Sequence, residues 1–219
     1  MFIGHFAAGF AAKKFEMAPS LGTYFMAAQF IDLLWPFFLI AGLESVEIDP
    51  GNTAVTPLNF IHYPWTHSLT GTLFWAMLFG GIYYLVKKNI KASVWLGALV
   101  LSHWVLDFIS HRPDLPLSPG SDIKVGLGLW NSFTASIALE SGLFILGVFL
   151  YYKATKALNK RGVITLLGLI VFMVFVYFMN LFGPPPPSAE PLPYIGLSMW
   201  LLVIWGYWID RHRRAESAV

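Results

Sequence analysis

Six stretches of this chain are long and apolar enough to cross a lipid bilayer as α-helices. They cover residues 21–43, 68–86, 93–110, 129–152, 163–182 and 192–210. The apolar core of a bilayer is about 30 Å thick and is spanned by about 20 helical residues. Only 12% of the residues are charged, against roughly 25% in soluble domains. The sequence therefore predicts an all-α, polytopic membrane protein with about six transmembrane helices in one domain, residues 1–219, and disfavours a soluble globular enzyme.

Residues 1–12 are also apolar, but they are too few to span a bilayer. No charged segment precedes them, so we do not expect a cleaved signal peptide. We expect instead a short N-terminal helix that either re-enters the membrane or lies at its interface.

The positive charges predict the orientation of the spans. All but two of the 14 Lys and Arg residues fall in residues 13–14, 87–91, 153–161 and 211–214, which alternate span by span with the remaining connections. Connections rich in Lys and Arg stay on the cytoplasmic side. The pattern predicts six crossings of the cell (inner) membrane with both termini cytoplasmic.

The sequence supports neither nucleic-acid binding nor a metal site made of thiolates. The net charge is only +2 and no nucleic-acid-binding motif is present, so we expect no nucleic-acid partner and membrane lipid as the surrounding partner. The chain has no Cys, so any metal has to be bound by His and carboxylate side chains.

Four ionisable residues interrupt the predicted spans, namely Asp32, His103, Asp107 and Glu140. Such groups are costly in hydrocarbon unless they are paired, so each is a candidate functional residue. With a rise of 1.5 Å per residue, Asp32 lies roughly 16 Å and His103 roughly 18 Å from the cytoplasmic boundary, and Glu140 is also close to the midplane. Three helices thus place polar groups at one depth.

The third span carries a polar stripe. His103, Asp107 and His111 follow each other at a spacing of four residues, which places them on one helix face. A His and an Asp at this spacing can share a metal, or they can simply hydrogen-bond each other between helices. The spacing alone leaves both interpretations open.

Three further histidines, His5, His62 and His67, precede the third span. His62 and His67 flank Pro64, which prevents them from sharing one continuous helix, and Thr66 or Ser68 can cap the helix that follows. These two histidines are candidate metal-site residues, and the alternative is that both face water at the interface. His5 lies in the short N-terminal helix, where a His without a partner would be costly.

The order of these residues resembles the YdjM-like inner-membrane proteins that are described as membrane-bound metal-dependent hydrolases. The resemblance covers about residues 1–115. The matching elements are His5 with Gly9, Ile31-Asp32-Leu33-Leu34, His62 to Ser68, and His103 with Asp107. Leu34 stands where the family usually has a second Asp, and Tyr63 stands where it usually has Arg.

The resemblance implies a metal site in residues 1–115. Because five of the six histidines fall in residues 1–111, we expect residues 129–219 to form supporting helices. The expected ligands of a divalent metal, zinc above all, are His5, Asp32, His67, His103, Asp107 and His111. Glu140 or His62 is the expected general base. The expected activity is hydrolysis of a lipid or phosphoester at the outer face. The alternatives are an ion- or proton-coupled transporter and a scaffold with a structural metal.

Overall fold

The computed structural model describes residues 1–216 and is mainly helical. Its α-helices are α1 (Ile3–Phe15), α2 (Leu21–Ala28), α3 (Phe30–Ile40), α4 (Pro64–His67), α5 (Leu69–Lys87), α6 (Ile90–Ser110), α7 (Phe133–Ala154), α8 (Lys160–Phe182), α9 (Leu192–Leu197) and α10 (Met199–Asp210). The strands are β1 (Ser45–Ile48), β2 (Leu58–His62), β3 (Leu115–Pro116), β4 (Lys124–Val125), β5 (Thr155–Ala157) and β6 (Arg213–Ala215). They form three antiparallel pairs, β1–β2, β3–β4 and β5–β6. The predicted all-α fold class is confirmed.

Five helical segments of the described chain are long and apolar enough to cross a membrane, and a bent pair raises the number to six. The bent pair is α2 and α3, which meet at 55°. The prediction of one continuous helix over residues 21–43 is therefore wrong, because the helix breaks at Gln29. Large apolar side chains such as Met77, Leu85 and Val171 are exposed on the outside of the bundle, which suits a surface in contact with lipid tails.

Helix α1 lies inside the bundle. Its 13 residues are too few to span, and Phe6 and Phe10 are fully buried. It packs closely on α7, where Gly147 lies against the backbone of Ala7. The predicted short N-terminal helix is present, and its burial among the other helices favours the re-entrant alternative over the interfacial one. Its first residues lie among the helices, beside Asp107, and its last turn carries Lys13 and Lys14.

The basic segments gather at one end of the bundle. Lys13 pairs with Asp210 at 3.0 Å, and Lys91 pairs with Glu16 at 3.0 Å. The pairing of β5 with β6 joins the remaining two basic segments. The pairs β1–β2 and β3–β4 and the proline-rich connection of residues 183–187 follow the opposite ends of the helices. The position of the four basic segments at one end of the bundle agrees with the alternation of charge along the sequence. The side of the membrane on which this end lies stays a prediction.

Candidate metal centre

The polar stripe of α6 and His111, the residue that directly follows the helix, face the interior. His103, Asp107 and His111 are each at most 2% exposed. His103 Nε2 lies 3.2 Å from Asp107 Oδ2, as expected for residues one helical turn apart. A buried carboxylate needs several polar partners, and the helices around α6 provide them.

Helix α1 contributes His5 from one side. His5 Nε2 lies 3.0 Å from Asp107 Oδ1, and its ring stacks on that of His103 with 3.7 Å between centroids. The amino nitrogen of Met1 lies 2.9 Å from the same Asp107 oxygen. His5 Nδ1 is buried and has no hydrogen-bond partner among the described residues.

The break between α2 and α3 shapes the next part of the site. The last carbonyl groups of a helix have no partner within it, and Ala28 O, at the end of α2, accepts a hydrogen bond from His103 Nδ1 at 2.9 Å. Asp32 lies in the first turn of α3, where the helix dipole favours a negative charge. Asp32 Oδ1 is 3.5 Å from His103 Nε2. The break therefore both orients the histidine and supplies the carboxylate.

Short helix α4 brings His67 to the same carboxylate. Pro64 is its first residue, and Ser68 ends it and caps α5 by accepting from Gly71 N. The predicted separation of His62 from His67 by Pro64 and the predicted cap are thus present. His67 Nε2 lies 3.3 Å from Asp32 Oδ1.

These residues form two adjoining groups with the geometry of metal ligands. One is His5, His103 and Asp107, and the other is Asp32, His67 and His103; within each group the ligand atoms lie within 4.8 Å of one another. His103 belongs to both. Because a carbonyl oxygen only accepts, His103 Nδ1 carries a hydrogen, and Nε2 is the ring atom directed towards the two carboxylates. Nε2 has no hydrogen-bond partner of acceptable geometry among the described residues, so a cation fits this donor set.

Three predicted site residues lie outside both groups, namely His111, Glu140 and His62. His111 Nδ1 is 3.0 Å from Asp114 Oδ1, whereas its Nε2 is 3.9 Å from Asp107 Oδ1. Glu140 Oε2 accepts hydrogen bonds from Phe2 N and Gly4 N, so it caps the start of α1.

His62 lies on strand β2 and is exposed, because the strand carries it away from the helices. The structure does not bring it to the other site residues.

A second polar cluster adjoins the site through His111, and sequence reasoning missed its central residue, Asp114. Tyr63 Oη donates to Asp114 Oδ1 at 2.8 Å, and Arg112 Nε donates to Asp114 Oδ2 at 3.2 Å. Arg112 also bonds Asn52 and Asn59 near the β1–β2 pair. Burial disfavours the charged form of Asp114, but the hydrogen bonds and charge of its partners outweigh it and hold the pKa of this carboxyl below its ordinary value. The three-residue spacing of His111 and Asp114 was the signal available in the sequence.

A cavity of about 560 Å³ rises from the site towards the end of the molecule that carries β1–β2. Its polar lining includes Asp32, His67, Asp107, His111 and Glu140. The rest of its wall is mostly apolar and includes Trp35, Phe60, Trp130, Leu192, Met199 and prolines of residues 50–57 and 184–186. The described residues that line it include no Lys or Arg.

The bundle and its buried His and Asp residues define a polytopic helical membrane protein with two His/Asp groups that have the geometry of metal ligands. The comparison with protein families then places the chain. It belongs to the YdjM inner membrane protein family, which matches residues 2–183. The resemblance inferred from the sequence is confirmed, and the match includes every residue of the two ligand groups. No curated protein and no solved structure matches the chain.

Proposed function

We propose that this protein is a membrane-embedded, metal-dependent hydrolase that acts on an amphipathic lipid or phosphoester. The observation that carries the proposal is the position of the two ligand groups at the inner end of a large, mostly apolar cavity. A closed structural site has no need of such an opening, whereas a catalytic site keeps a coordination position accessible.

The chain's own residues would hold one or two divalent cations, with zinc the best match to His and carboxylate ligands. His103 Nε2 has one lone pair and would bind one cation, together either with His5 and Asp107 or with Asp32 and His67, and a second cation would be bound by the two remaining residues of the other group. When bound, the cation acts as a Lewis acid and lowers the pKa of water towards about 7. Asp107 balances positive charge at the centre of the site, and the α6 helix holds it beside His103.

Glu140 is the better candidate for the general base of the two that the sequence suggested. It lines the cavity, and both of its bonds to α1 use Oε2, so Oε1 remains to accept a proton. His62 does not line the cavity.

The chemistry of the cavity supports an amphipathic substrate. Its aromatic and aliphatic wall favours an apolar body. Since the described lining has no Lys or Arg, bound cations would attract the negative charge of a phosphoester. A lipid fits both conditions, because its tails match the wall and its ester group reaches the polar floor.

The test compares metal content and hydrolysis in purified protein. His103→Gln should lose bound zinc and lose hydrolysis of a panel of carboxylic-ester and phosphoester lipids, because His103 is shared by both groups. His212→Gln, which changes a histidine at the basic end near Asn159, is the matched control and should retain both. Zinc without hydrolysis of any member of the panel would favour the scaffold, and hydrolysis that persists in His103→Gln would refute the proposal.

A further inference from the structure

Glu44 is a buried carboxylate that lies just beyond the end of α3. It is only 4% exposed, and none of the ion pairs among residues 1–216 includes it. Both of its oxygens bond the same residue: Thr66 N donates to Oε1 at 2.8 Å, and Thr66 Oγ1 donates to Oε2 at 2.7 Å. Burying a carboxylate without a cation is costly, so this arrangement calls for an explanation.

The hydroxyl of Thr66 connects Glu44 to the neighbouring histidine. A hydroxyl has one hydrogen, and an ionised carboxylate can only accept, so the hydrogen of Thr66 Oγ1 points to Glu44. Thr66 Oγ1 also lies 2.7 Å from His67 Nδ1. In that contact the ring nitrogen has to donate. His67 Nδ1 therefore carries a hydrogen, so a neutral ring that binds a cation would present its lone pair on Nε2, the atom that lies 3.3 Å from Asp32 Oδ1.

We propose that Glu44 is a positioning residue that fixes, through Thr66, the tautomer and the orientation of His67. The hydrogen-bond argument does not depend on the proposed metal site. Only the use of this positioning, which is metal binding by His67, rests on the proposed function. Metal-binding histidines usually donate their second ring N–H to a carboxylate or carbonyl group, and loss of such a partner commonly weakens metal affinity about 10–100-fold. His103 obtains this support from Ala28 O, and His67 obtains it from the Glu44–Thr66 pair.

Glu44→Gln tests the direction of the hydrogen bonds, because the change keeps the size of the side chain. The amide presents one acceptor and one donor group. If its oxygen accepts from Thr66 N, its NH₂ group faces Thr66 Oγ1 and donates to it. The hydroxyl hydrogen then turns towards His67 Nδ1, which has to accept, so the ring hydrogen moves to Nε2 and the lone pair is lost from the ligand position.

Zinc affinity of the full chain in detergent is the first measurement. We expect Glu44→Gln and Thr66→Val to bind zinc about 10–100-fold more weakly than wild type. Thr66→Ser keeps the hydroxyl and should bind like wild type. Glu47→Gln, the same change at an exposed residue of β1, is the control. Affinity of Glu44→Gln equal to that of Glu47→Gln would overturn the proposal; if Glu44→Gln fails to fold, equal affinity of Thr66→Val and Thr66→Ser does so.

Histidine ¹⁵N NMR of the metal-free protein is the second measurement, and it separates this proposal from the proposed function. The His67 signals are assigned by their loss in His67→Gln. Protonated Nδ1 in wild type and unprotonated Nδ1 in Glu44→Gln are the expected results, even if wild type binds no zinc and the proposed metal site fails, because Nε2 can donate to Asp32 in both proteins. The same protonation of His67 Nδ1 in both proteins would refute the role of Glu44.

Discussion

Asp32 is the more exposed of the two carboxylates in the ligand groups, with a side chain 24% accessible against 3% for Asp107. Asp32→Asn should therefore fold, yet its neutral amide is a poor ligand for a divalent cation. We expect zinc affinity to fall by more than about tenfold, since loss of even an outer partner costs that much. Asp49→Asn, at an exposed position, is the control.

Two other results would reassign Asp32. Unchanged zinc content with loss of pH-linked activity would make it a proton relay. Unchanged zinc content with lower thermal stability would make it a structural partner of the histidines, since an unmade buried hydrogen bond costs about 1–3 kcal/mol.

Glu140 has two candidate roles that one substitution separates. Glu140→Gln keeps an oxygen to accept from Phe2 N and Gly4 N, so only the interaction of the charge with the start of α1 is lost, about 0.3–2 kcal/mol. As a general base, however, its loss should slow hydrolysis about 10²–10⁴-fold. We expect retained zinc and this loss of rate, measured against Glu190→Gln. If the rate of hydrolysis falls no more than the small loss of stability explains, Glu140 acts as a cap of α1 and not as a general base.

At this scale the sequence predicted part of the group of residues that converge but not what orients them. Spacing and depth were enough to bring together Asp32, His103 and Asp107, because helical geometry fixes both. Glu44 and Asp114 were missed for a physical reason. Each acts through a hydrogen bond made by a connecting segment whose path depends on the β1–β2 pair and on the residues after α6, and helical periodicity does not describe such segments.

At the scale of elements, the break between α2 and α3 could not be read from the sequence. Gln29 is neither Gly nor Pro, and the proline of this segment, Pro36, lies inside α3 rather than at the break. Continuous apolarity predicted one helix over residues 21–43. The hydrogen bond from His103 to Ala28 O shows why tertiary contacts override that expectation: the site uses a carbonyl group that a continuous helix would have used itself.

The packing of α1 on α7 allows a matched pair of substitutions on one helix. An added Cβ at Gly147 would lie 2.4 Å from Ala7 O, whereas one at Gly142 meets nothing within 4 Å. Gly147→Ala should push α1 and its His5 away, with a loss of about 1–3 kcal/mol and weaker zinc binding. Gly142→Ala should be neutral or gain up to about 1 kcal/mol.

Thermal unfolding in detergent and zinc titration measure both effects. Equal stability of the two variants would mean that α1 does not pack on α7 as described. Lower stability of Gly147→Ala with unchanged zinc affinity would mean that His5 is not a ligand.

At the scale of the whole molecule, the two ends of the bundle differ in a way that the charge pattern predicted. The family match ends at residue 183, before α9 and α10. Helix α10 nevertheless joins the basic end, because Asp210 accepts hydrogen bonds from Lys13 Nζ, Leu21 N and Tyr151 Oη. Through these hydrogen bonds, the C-terminal end of α10 connects α1, α2 and α7 at the end opposite the cavity mouth.

The orientation of this bundle in the membrane is tested by single cysteines, since the wild-type chain has none. Asp49→Cys, Asp122→Cys and Glu190→Cys place thiols at exposed residues of the connections that carry few positive charges. Glu216→Cys places one beside β6, at the basic end, where the side chain of Glu216 is 46% accessible. If the basic end is cytoplasmic, a membrane-impermeant maleimide should label the first three in intact cells and the fourth only after lysis. The cavity mouth would then face outward, and the substrate proposed above would reach it from the outer leaflet. Labelling of Glu216→Cys in intact cells, with the other three protected, would invert the topology and place the proposed hydrolysis at the cytoplasmic leaflet.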